Sequence, residues 1–173
     1  MSKNQNLPPN STADPYSYLQ IVQNPDGSIT RLFQLPTIAA APDKEHLKVF
    51  TKDIPINPTH NTWIRIFLPA QALNQNSSST TKLPLIIYFH GGGFVLLRAS
   101  DSINHDFCCD LAAKVSAVVV SLEYRLAPEH RLPAAYDDAV EALHFIKRSD
   151  DVWLRDLLIV PSVSSWALAP VAI

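Results

Sequence analysis

Residues 85–89, Leu-Ile-Ile-Tyr-Phe, form an unbroken apolar run of strand length that stops on His90-Gly91-Gly92-Gly93-Phe94. An apolar run without alternation suits a strand covered on both faces, as in a parallel sheet, and this commits the chain to a layered architecture. The glycines sharpen the constraint. There are 4 glycines in 173 residues, three consecutive and the other at Gly27. Average usage of about 7% would supply about a dozen. Adjacent glycines give up backbone entropy and bring no side chain, so their use is an unusual backbone path or a close approach of bare N–H groups to a ligand oxygen. The triplet by itself serves a tight turn as well as it serves such a cradle. A phosphate loop fits less well, because no Gly-Lys-Ser/Thr follows and the spacing departs from the dinucleotide fingerprint.

After the glycines, Phe107, Cys108, Leu111, Ala112 and Val115 recur at helical spacing, and Ala117-Val118-Val119-Val120 reads as a second buried strand. Pro133 then suits a first helical turn. Asp137 and Asp138 fall where the helix dipole favours acids, and Tyr136, Val140, Leu143 and Ile146 predict an inward stripe. Strand, loop, helix, strand and helix in this order predict an α/β class. Upstream, segments 19–22 and 28–33 flank Asn24-Pro25-Asp26-Gly27 and predict a β-hairpin. Segments 47–52 and 62–67 predict two more strands, the second alternating Trp63, Arg65 and Phe67 against Ile64 and Ile66. The polar run 71–82 reads as a surface connection, and residues 1–15 as a disordered lead-in.

Composition removes several classes of function. Fourteen basic against 16 acidic residues leave a net charge of -2, without the basic excess of a nucleic-acid surface. Cys108 and Cys109 are adjacent and read as buried free thiols, not as a disulfide framework. No apolar stretch opens the chain, so the expected address is cytoplasmic. His46, His60 and His144 have no ligand-like neighbours in sequence, and no metal or other cofactor is expected. Adjacent Asp137 and Asp138 point about 100° apart on a helix and do not make a glycosidase pair. Arg125, Glu129 and His130 are expected to pair structurally with one another or with the backbone.

The segment Tyr124-Arg125-Leu126-Ala127-Pro128-Glu129-His130-Arg131-Leu132-Pro133-Ala134-Ala135-Tyr136-Asp137-Asp138, together with the His90–Gly93 loop, His105-Asp106-Phe107-Cys108 and Trp153-Leu154-Arg155-Asp156, resembles plant carboxylesterases. These belong to the hormone-sensitive-lipase-like branch of the α/β-hydrolase superfamily, and the resemblance runs from about residue 18 to 156. It implies an α/β-hydrolase fold with a mixed, mostly parallel sheet and flanking helices. It also implies oxyanion donors at the backbone N–H groups of Gly92 and Gly93, with His90 and Gly91 shaping the loop and His90 not acting as the base. The substrate class it implies is a small-molecule carboxylic ester, cleaved through a serine nucleophile without a cofactor.

The chain departs from that family after Asp156. No G-x-S-x-G occurs, and no histidine follows His144, so none of the catalytic triad is present. Ser164 and Ser165 do not replace the nucleophile, since Trp166 and Val163 stand where small residues are needed. The uncharged tail holds two prolines and sits at the lower length limit of a membrane span, and no membrane association is expected. The expected organisation is a lead-in over 1–15, an incomplete hydrolase domain over 16–156 and a divergent apolar tail over 157–173. Such a chain is expected to be inactive alone. The rival expectation is a non-catalytic, receptor-like ligand-binding or interaction protein of the same fold, associating through an exposed sheet edge.

Overall fold

A computed structural model of the chain describes residues 14–42, 48–73 and 82–158. Two compact units meet in the chain between Gln34 and Leu35. In the first, Asp14 caps a short helix α1 (Pro15–Tyr18) by accepting from the Tyr16 N–H at 3.1 Å, with Pro15 at the first helical position where its missing N–H costs nothing. The hairpin follows as strands β1 (Ile21–Gln23) and β2 (Ile29–Arg31), antiparallel, with Gly27 at φ +84° closing the turn. Of the lead-in expected over 1–15, residues 1–13 lie outside the described residues, as do 74–81 of the polar run and 159–173 of the tail.

The second unit is a four-stranded mixed sheet. Strand β3 (Val49–Asn57) pairs antiparallel with β4 (Thr62–Pro69), β4 pairs antiparallel with β6 (Val118–Glu123), and β6 pairs in parallel with β5 (Leu85–Phe89). The spatial order is β3-β4-β6-β5. The parallel register sets Leu85 beside Val118 and Phe89 beside Leu122. Helix α2 (Ser102–Val115) connects β5 to β6, α3 (Ala134–Arg148) follows β6, and a short α4 (Val152–Arg155) comes next. Beyond it, Leu158 bridges in parallel to Leu83, just before β5.

The sheet is covered on both faces. On one, Ile64, Ile66, Leu68, Ile87, Val118, Val120 and Leu122 pack with Ala135, Ala142 and Ile146 of α3 and Trp153 of α4. On the other, Phe67, Tyr88 and Val119 pack with Cys108 and Ala112 of α2. The alternation read in β4 holds, with Ile64 and Ile66 on one covered face and Phe67 on the other. Arg65 is 2% exposed, its guanidinium held by Asp53 at 2.6 and 2.7 Å on the adjacent strand and by the Ile38 carbonyl at 2.7 Å. Such pairing is what permits a charge in a two-faced strand.

Of the inward stripe predicted for α3, Ile146 is buried and Leu143 packs against the core, while the other two positions turn outward. In α3, Tyr136 and Val140 are exposed, and the buried positions are Ala135, Asp138, Ala142 and Ile146. In α2, Phe107 and Val115 are exposed while Asn104, His105, Cys108 and Ala112 are buried. Small and polar residues fill most of the buried positions of both helices, beside the large Ile146, while Tyr136, Val140, Phe107 and Val115 turn outward. Val140→Ala is therefore expected to change stability by less than about 0.5 kcal/mol. Ile146→Ala is expected to cost about 2–4 kcal/mol, the difference being read from urea unfolding.

Candidate functional site: the glycine loop between the central strands and α2

The loop begins at His90 as β5 ends. His90 is buried, and its ring stacks on Tyr124 at 4.2 Å with a 6° interplanar angle. Its Nδ1 lies 2.9 Å from the Gly91 carbonyl, which assigns the proton to Nδ1 because the carbonyl only accepts. The Tyr124 hydroxyl donates to the His90 carbonyl at 2.6 Å. Burial pushes the imidazole pKa down to about 4, so the ring is neutral in ordinary buffers. Nε2 has no hydrogen-bond partner among the described residues.

Gly92 has φ +107° and Gly93 φ +63°. At Gly92 a Cβ would stand 2.1 Å from the Leu96 carbonyl oxygen, a backbone atom, so no other residue fits this path. At Gly93 nothing lies within 4 Å of the Cβ position. The Gly92 carbonyl accepts from the Val95 and Leu96 N–H groups at 3.1 and 3.0 Å, closing a turn. The N–H groups of Gly92 and Gly93 donate to no acceptor among the described residues. Phe94, itself at φ +63°, accepts from the Ala127 N–H at 2.8 Å, and its ring meets Tyr124 and Tyr136.

The far end of the loop is fastened by a second set of contacts. The Asp101 carboxylate accepts from the Arg98 N–H at 2.9 Å, and the Asn104 amide donates to the Arg98 carbonyl at 2.8 Å. The Tyr88 hydroxyl donates to Asn104 at 3.0 Å. Glu123, the last residue of β6, accepts from the Ala99 N–H at 2.7 Å. Burial pushes the Glu123 carboxyl up to about 7, with the Ala99 bond pulling the other way.

Arg125 carries the chain from β6 towards α3. Its guanidinium reaches Asp138 at 2.7 and 3.0 Å, and its backbone N–H reaches the same carboxylate at 2.9 Å. Asp138 is 1% exposed. The structural pairing expected of Arg125 is present, but dipole compensation does not explain Asp138, which is the buried anchor of this turn. Glu129 and His130 are exposed. Although His60 has no ligand-like neighbours in sequence, the fold brings it to Asp138 and Glu141, with possible ligand atoms within 4.8 Å of one another. Arg125 already occupies Asp138, and the Asn57 amide donates to Glu141 at 3.0 Å, so those carboxylates serve a polar network. Cys108 is buried and Cys109 half-buried, both as free thiols, pushed up to about 12 and about 11 by burial.

Residues 86–162 match the model of a family with the α/β hydrolase fold. Carboxylesterase 20 of Arabidopsis thaliana is 54% identical over 149 residues, which cover 85% of this chain and 46% of the relative. The chain belongs to the α/β-hydrolase fold family. A second relative, 3-O-acetylpapaveroxine carboxylesterase CXE1 of Papaver somniferum, is 45% identical over 83% of the chain and 45% of its own length. A solved esterase of Pyrobaculum calidifontis is 37% identical over 59% of this chain and 31% of that one, with a TM-score of 0.47. The chain spans about half the length of the curated relatives it matches. Among the described residues no helix is long and apolar enough to cross a membrane.

Two measurements probe the loop. Gly93→Ala is expected to cost about 1–2 kcal/mol, the left-handed backbone penalty alone. Gly92→Ala is expected to lower Tm further, because the Leu96 carbonyl must move. The Glu123 carboxyl, raised from its ordinary 4.5 to about 7, favours the folded state when protonated. That stability is present below about pH 4.5 and is lost as pH rises through about 7. Glu123→Gln should leave Tm unchanged near pH 4 and raise it near pH 8; an offset constant with pH would contradict burial of the charge.

Proposed function

We propose that the chain supplies the oxyanion-loop part of a carboxylic ester hydrolase acting on small-molecule esters. The observation that carries this reading is the pair of glycine amides, Gly92 and Gly93, left without an acceptor among the described residues at the end of a core strand. In acyl transfer the carbonyl oxygen becomes negative as the nucleophile adds, and donors set in advance for that charge stabilise the transition state by about 2.7–4 kcal/mol each. His90 organises the loop. Its Nδ1–H is committed to Gly91 and its low pKa keeps the ring neutral, which does not suit a general base working near pH 7.

The name of the poppy relative gives it an O-acetyl compound as substrate, and acetyl and similarly small esters are the class proposed for this site. No G-x-S-x-G and no histidine beyond His144 occur in the chain, so turnover through a serine nucleophile requires parts it does not hold. That same observation favours a second reading, a ligand-binding or interaction protein that keeps the loop without the chemistry. Saturable binding of an ester with no turnover would select it.

With p-nitrophenyl acetate the purified chain is expected to show no hydrolysis sensitive to a covalent serine inhibitor, and such activity would overturn the partial-site reading. Joined to the remaining portion of Carboxylesterase 20, the chain is expected to hydrolyse the ester. Gly92→Ala in that fusion should then lower kcat by about 100- to 1,000-fold.

A further inference from the structure

The last residue of strand β6 and the residue after it hold opposite ends of the same loop. Tyr124 takes the near end through its hydroxyl on the His90 carbonyl at 2.6 Å and its ring against the imidazole. Glu123 takes the far end, accepting from the Ala99 N–H at 2.7 Å. Successive residues of an extended chain point to opposite sides, so two adjacent positions can grip a loop from both flanks. Gly92, Gly93 and the left-handed residues Phe94 and Leu97 lie between the two grips.

We propose that Glu123 is a positioning residue for the glycine loop, and that its carboxylate, acting through Ala99, sets how firmly the Gly92 and Gly93 amides are held. The proposal rests on the oxyanion-loop reading for its purpose, though not for its test. A neutral carboxamide would make the same Ala99 contact without the desolvation cost of a buried acid. A carboxylate there gives a charge-assisted bond, stronger than the neutral one and lost on protonation.

The groups around Glu123 come from every neighbouring element. Arg98 and Asp101 stand on the loop itself, with Asp101 raising the Glu123 pKa and Arg98 lowering it. Arg65 on β4 also lowers it, and Arg65 is in turn tied to Asp53 on β3 and to Nδ1 of His105 on α2 at 3.1 Å. Tyr124 adjoins it in the chain, and the Glu123 charge raises that phenol further. Burial outweighs the cations, and the carboxyl changes charge near neutral pH. His90 and His105 are both lowered by burial, so neither accounts for a loop transition near pH 7.

The test uses the isotope-labelled full chain and follows backbone amides by NMR between about pH 5.5 and about pH 8.5. The Ala99 amide proton should titrate with a midpoint near 7, and the Gly92 and Gly93 amides should move with that midpoint. Hydrogen-exchange protection at Ala99, corrected for intrinsic rates, should fall about fivefold on the acid side. Glu123→Gln should keep the loop resonances dispersed and abolish the transition, while Glu123→Asp should retain it at a shifted midpoint. The proposal is overturned if Gly92 and Gly93 stay still while Ala99 titrates, or if the transition survives in Glu123→Gln. Either result leaves the oxyanion-loop reading intact, since that reading fails if Gly92→Ala leaves kcat of the fusion unchanged, and not on this measurement.

Discussion

Strand β6 is the member on which the other parts depend. It lies between an antiparallel neighbour, β4, and a parallel one, β5, and residues 118–122 are buried. A strand hydrogen-bonded on both edges and packed on both faces has little freedom, so whatever hangs from its end inherits that rigidity. Three consecutive residues at that end use it. Glu123 and Tyr124 hold the loop, and Arg125 locks α3 through Asp138. The glycine path can be strained because its supports are not.

The core strands and the glycine loop were legible in the chain because their signals are local. An apolar pentad and a glycine triplet need no partner to be recognised, and the turn at Gly27 announces itself in four residues. The helix faces were not legible by the same means. Counting large apolar residues points α3 inward on Tyr136 and Val140, whereas the sheet accepts Ala135 and Ala142 for their small size and Asp138 for its ion pair. The pairing of Arg65 was not legible either. Its partner Asp53 stands directly across the β3–β4 register, a relation that sequence spacing does not show. Glu123 was invisible because its donor is a backbone N–H 24 residues earlier.

The relatives place these contacts in a wider setting. The matched region of 86–162 contains β5, the loop, α2, β6, the Arg125–Asp138 pair and α4. It is the portion in which one strand end organises both the candidate donors and the helix packed behind them. The first unit, with its hairpin, precedes this region in the chain.

The contrast between Gly92 and Gly93 bears on which positions of the loop can vary. At position 92 the neighbouring carbonyl leaves no room for even a methyl group, so that residue is closed to variation as long as the loop keeps its course. One step along, the Cβ direction opens onto empty space. A side chain can therefore be grafted at position 93 for a modest conformational penalty, without rebuilding the frame beneath it.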